Sequence, residues 1–105
     1  MAVVLITCPD EGSAREVAET LLRERLAACV SMIPGVRSSF WWQGAIEEAE
    51  EVLLVVKARV EHLGELVEAV KEVHPYEVPE VIALPIIGGH EGYLDWARRE
   101  TAREG

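Results

Sequence analysis

Apolar positions along this chain change period several times, and each change marks an element. Ala2 to Thr7 is an almost unbroken apolar, β-branched run, which predicts a strand buried on both faces. Ser13 and Glu16 have capping-box spacing, and Ala14, Val17, Ala18, Leu21, Leu22 and Leu26 then recur at helical intervals, so a helix is expected over 14–27. Residues 28–33 return to strand character. Pro34-Gly35 interrupts them and Val36 to Trp42 continue, which predicts one strand carrying a bulge. Gln43-Gly44 can turn the chain into a third strand over 46–59, charged in its first half and continuously apolar from Val52 to Val56. Val60, Leu63, Leu66, Val67, Val70 and Val73 mark a second helix, which His74-Pro75 ends. A strand over 80–87, a glycine-rich link and a C-terminal helix over 93–104, with Leu94, Trp96 and Ala97 facing inward, complete the chain.

The first six elements, βαββαβ, have the split-βαβ order, in which two helices cover one face of a four-stranded antiparallel sheet. The expected class is therefore α+β and ferredoxin-like with an added C-terminal helix, and 105 residues leave room for a single domain, 1–105. A fourteen-residue strand reaches roughly 45 Å, whereas a helix of that length covers about 21 Å. The long hairpin must overrun its helices. Strands that are apolar on both faces need a second covering surface, and monomers rarely leave such patches wet. Self-association meets both needs, with Trp41 and Trp42 favoured as interface anchors over the lining of a ligand groove.

Charge narrows the partners. Nineteen acids against ten bases give a net charge of −9, which repels nucleic acid and anionic membranes and attracts cations. The N-terminal apolar run has no basic flank and is too short to cross a bilayer, so it reads as a strand and the protein as cytoplasmic. Cys8 and Cys29 lack C-x-x-C spacing and are expected as free thiols.

Four strings then stand in order: Ala28-Cys29-Val30-Ser31-Met32-Ile33-Pro34-Gly35, Trp42-Gln43-Gly44, Glu51 to Lys57, and His74-Pro75-Tyr76-Glu77-Val78-Pro79-Glu80. They closely resemble the signature segments of the CutA divalent-cation tolerance family, with a match running from residue 2 to about 100. The resemblance implies a ferredoxin-like homotrimer related in architecture to the PII signal proteins. It implies binding of copper or other divalent metal ions in response to metal, with no reaction attached. The chain departs from the family's copper-binding pattern at Ile6 and Val73, in place of a cysteine and a second histidine, and keeps His74.

Candidate chemistry gathers around that last string. His74 and Glu77, three apart, could reach one copper or zinc ion, with Cys29 or a neighbouring chain supplying a further donor. Alternatively His74 closes the helix through a hydrogen bond. No resident cofactor is required, and Cu2+ or another divalent cation is the expected ligand. Lys57, Tyr76 and Trp42 are candidates for a pocket between subunits, where Lys57 would meet Glu77, Glu80 or an anion. A PII-like sensor or scaffold that binds a small ligand or a partner protein there is the alternative to metal binding. Cys8 precedes a helix N-terminus, which should lower its thiol pKa and make it the more reactive cysteine. An enzyme built on it is disfavoured, and no catalytic residue is expected. Glu47, Glu48, Glu50 and Glu51 suit a charged strand that resists aggregation, and His62 and His90 are expected at the surface.

Overall fold

A computed structural model describes residues 1–103. Its strands are β1 (Ala2–Cys8), β2 (Cys29–Trp42), β3 (Ala45–Ala58) and β4 (Val81–Pro85); its helices are α1 (Glu11–Arg23), α2 (Leu63–Val73) and α3 (Glu91–Glu100). A 3-10 turn, Val60–His62, leads into α2. The sheet order is β2-β3-β1-β4, antiparallel at every step. The expected α+β, ferredoxin-like architecture is the one observed.

Side chains alternate across a strand, so the register sorts the sheet into two faces. Val4, Ile6 and Cys8 of β1 and Val52, Leu54, Val56 and Ala58 of β3 lie against Ala14, Val17 and Leu21 of α1 and Leu66 and Val70 of α2, forming one buried core. The opposite face carries Val3, Leu5, Leu53 and Val55, all half-buried, and the exposed Ile82 and Leu84. The strand expected to be buried on both faces is thus covered on one by its own chain.

Several boundaries differ from expectation for local reasons. α1 starts at Glu11 because Asp10, not Ser13, is its cap: the Asp10 carboxylate accepts the Ser13 N–H at 2.7 Å, and the Ser13 hydroxyl donates to the Asp10 carbonyl at 3.2 Å. It ends four residues early because Arg25 enters the left-handed region, φ 60°, and the amides of Leu26 and Ala27 both return to the Leu21 carbonyl. β4 stops at Pro85, which pairs with Ala2, where β1 itself begins. α3 starts at Glu91, two residues ahead of the expected start, because the exposed His90 caps it: its Nδ1 accepts the Tyr93 N–H at 3.1 Å. It ends at Glu100, and residue 104 of the expected helix lies outside the described residues. His62 is only half exposed, and its Nδ1 is buried without a hydrogen-bond partner.

The bulge falls where Pro34-Gly35 predicted it. Between Ile33↔Leu53 and Val36↔Glu51, β2 advances three residues while β3 advances two, which bends the strand. The hairpin turns at Gln43-Gly44, both with positive φ, 48° and 81°, as a two-residue turn between twisted strands requires.

Candidate functional site

β1 pairs with β3 only over Val52–Ala58, so Ala45–Glu51 runs on beside β2 alone. The connection between α2 and β4 comes down next to this bare stretch, and His74 fastens it there. The imidazole is buried; its Nε2 lies 2.7 Å from the Thr7 carbonyl and its Nδ1 3.0 Å from the Tyr76 N–H. A carbonyl only accepts and a backbone amide only donates, so Nε2 carries the proton and the ring is neutral. Both nitrogens are occupied.

Fixing the Tyr76 amide also places its ring, tilted 51° against His74 with centroids 5.0 Å apart. The phenol then donates to Glu51 Oε2 at 3.2 Å. Glu51 lies on the face opposite the core yet is only 7 % exposed, because Tyr76 lies over it. Burial, and next the Glu51 carboxyl, push the Tyr76 phenol above its ordinary range, so it remains a donor at neutral pH.

An open cleft of about 1140 Å³ lies between the hairpin overhang and this connection. Ser38, Ser39, Phe40, Trp42, Glu47, Glu48 and Glu51 line it from the hairpin, Tyr76, Glu77, Val78 and Glu80 from the connection, with Thr7 between. None of its five glutamates takes part in an ion pair among the described residues. Trp41, next in sequence to Trp42, pairs with Ile46 and so faces the other way, 73 % exposed. The two tryptophans expected to act together serve different surfaces.

The residues singled out from the sequence divide accordingly. Tyr76, Trp42 and Glu77 meet in the cleft, with His74 behind its wall. Cys29 and Lys57 pair with each other at the far end of the sheet, six residues along β3 from Glu51, about 20 Å away. Lys57 Nζ is 3.5 Å from Ser31 Oγ, and among the described residues it forms no ion pair with Glu77 or Glu80. One chain therefore does not bring His74, Cys29 and Glu77 together, and no three His, Cys, Asp or Glu side chains among the described residues are grouped to hold a metal ion. Cys8 corrects the expectation of a reactive thiol: it is fully buried, and burial, followed by Asp10 and Glu51, pushes its pKa up to about 11. Sequence reasoning missed the Glu51–Tyr76 contact, whose partners stand 25 residues apart with no local signal joining them.

The family model for CutA1 divalent ion tolerance protein matches residues 2–100. The chain belongs to the CutA1 family. The divalent-cation tolerance protein CutA of Thermus thermophilus is 52% identical over 99 residues, covering 94% of this chain and 96% of that one. Human protein CutA is 45% identical over 96% of this chain, which spans only 56% of the human sequence. The solved Thermus thermophilus Cut A1 structure superposes with a TM-score of 0.94 at 50% identity, covering 97% of this chain and all of that one. A structure described as the periplasmic divalent cation tolerance protein CutA from Archaeoglobus fulgidus superposes at 0.93 with 39% identity, over 97% of this chain and 100% of its own. The Thermus thermophilus and Archaeoglobus fulgidus proteins are named for tolerance of divalent cations. No helix among the described residues is long and apolar enough to cross a membrane.

Proposed function

We propose that the protein is a cytoplasmic, homotrimeric divalent-cation tolerance protein whose cleft carboxyl groups take up divalent cations, copper among them. The observation that carries this is the cleft itself, with five glutamates and no ion pair among the described residues. Oxygen donors of this kind suit hydrated or hard divalent ions, and copper binds them less selectively than it binds imidazole or thiolate. His74 acts here as the fastener of Tyr76, since a metal at either nitrogen would have to displace the Thr7 carbonyl or the Tyr76 amide.

Calorimetric titration with Mn2+ and Cu2+ tests the assignment. Glu51→Gln should weaken binding several-fold. Binding that Glu51→Gln leaves unchanged and His74→Ala abolishes would instead make His74 a ligand.

Assembly is supported by the half-covered open face, the two free sheet edges β2 and β4, and the exposed Trp41 and Ile46 of the hairpin. Sedimentation should give a mass three times the 11.6 kDa of the chain. Recovery of the chain in the soluble cytoplasmic fraction of its source cells tests the location, and recovery in an envelope fraction would reject it. A PII-like sensor is favoured by a different observation, the aromatic walls Phe40, Trp42 and Tyr76, which metal binding does not require.

A further inference from the structure

We propose that α3 is a releasable strap, which lifts from the rest of the chain as one unit, hinged at Gly88-Gly89, while the sheet, α1 and α2 stay folded. The three helices are not anchored alike. α1 places Ala14, Val17 and Leu21 in the main core and α2 places Leu66, Ala69 and Val70 there, whereas the buried Leu94 and Ala97 of α3 stand outside that cluster. Trp96 adds a half-buried ring. The rest of the hold is polar and concentrated at one end. Arg59, on the link from β3 to the 3-10 turn, donates from Nε to Thr101 Oγ1 at 3.1 Å and from Nη2 to the Arg98 carbonyl. Arg25, just past α1, donates to the Glu100 carboxylate at 2.7 Å and to the Glu100 carbonyl at 3.3 Å. Carbonyls in the last turn of a helix lack partners within it, and two guanidinium groups here meet the negative end of the helix dipole. The Arg25–Glu100 pair is open to solvent, where such a pair contributes little, so the less exposed Arg59 is the stronger clasp.

The other end is free to turn. The Ile86 amide is tied to the Met1 carbonyl at 3.1 Å, but among the described residues no amide from Ile87 to His90 donates to a backbone carbonyl. All four of these residues are exposed. A Cβ at Gly88 would meet nothing within 4 Å, so no neighbour restricts the backbone there. His90 travels with the strap. Its ring lies over Gly92, where a Cβ would stand 2.7 Å from Cε1, and its cap on the Tyr93 amide keeps the first turn of α3 wound. Few buried apolar contacts and a polar clasp place α3 at the low end of the range of free energies over which proteins open locally.

Hydrogen exchange followed by NMR on the full chain in its native assembly tests the strap. The amides from Leu94 to Thr101 should share one protection factor, at least a hundredfold below that of β1. Urea below the unfolding transition should speed exchange in β1 and barely change it in α3, because lifting α3 exposes little surface. Arg59→Ala should speed exchange in α3 at least tenfold. Val17→Ala weakens a core that stays folded whether α3 is docked or lifted, so it should speed β1 at least tenfold and leave α3 unchanged. Exchange of α3 at the β1 rate, equal acceleration of both by Val17→Ala, or an α3 rate that Arg59→Ala does not alter would overturn the proposal. Should Arg59→Ala fail to fold, Thr101→Val removes the same Nε contact, and the urea series needs only the parent.

Discussion

Cys8 sits where two influences oppose each other, and their sizes decide its chemistry. Its place just before α1 favours a thiolate, but complete burial beside Asp10 and Glu51 favours the thiol more strongly, and the pKa rises from 9.0 to about 11. A thiol whose folded pKa is raised contributes stability that is whole below pH 9 and lost as pH climbs toward 11. Urea midpoints of the parent should therefore drop toward those of Cys8→Ala over that window, and iodoacetamide should label the native protein far more slowly than the unfolded one at pH 8. A constant gap between the two midpoints would contradict the assignment. Asp10 works in the opposite sense. The Ser13 backbone N–H holds its carboxyl below the ordinary value of 3.8, so its cap stabilises α1 above that pH and fades as pH falls through the folded value. Asp10→Ala should lower the thermal midpoint at pH 7 and leave it unchanged near pH 2.

Among the elements, the hairpin was the most legible in the sequence and the helix ends the least. Gln43-Gly44 between two alternating runs announces a tight turn because the glycine accepts positive φ freely, while the hairpin carries Gln43 into the left-handed region at φ 48°. Gly44 has open space around the position a Cβ would take, yet its φ of +81° makes any side chain strained. Gly44→Ala should therefore cost about 1 kcal/mol of unfolding free energy in urea titration, through the backbone alone. The start of α1 was harder to place because Asp10 and Ser13 are both good caps, one turn apart, and the packing of Ala14, Val17 and Leu21 suits either. His90 as a cap lay outside the usual side chains for that role. The end of β4 could not be read from its own apolar run, which continues to Ile87, because its length is set by where β1 begins.

At the scale of the whole molecule, the sheet face left uncovered by the chain's own helices was legible and the cleft was not. An overlong strand and runs without alternation show in the sequence that one copy leaves surface uncovered, and the longest extent of 44 Å belongs to that hairpin-bearing shape. The cleft depends on a tertiary meeting of Glu51 with Tyr76, which periodicity does not encode. Trp41→Ala should weaken assembly by tenfold or more in dilution experiments, whereas Trp96→Ala should act mainly on chain stability. Trp96 is half-buried against its own chain beside Tyr93, with ring centroids 5.5 Å apart. Equal dissociation midpoints for the two variants would reject this division of labour.

The strand order also sets a schedule. Trp42 has only to meet Ala45 for the hairpin to close, whereas Ile6 must meet Val81 and Ala2 must meet Pro85 before the sheet has its fourth strand. Hairpins form within microseconds, while pairings across most of a chain wait on the search for a distant segment. The hairpin should thus belong to the nucleus and β4 should dock last. In stopped-flow refolding, Gly44→Ala should slow the first, concentration-independent phase. Val81→Ala, which trims a partly buried residue packed on the core, should leave that phase alone and speed unfolding instead.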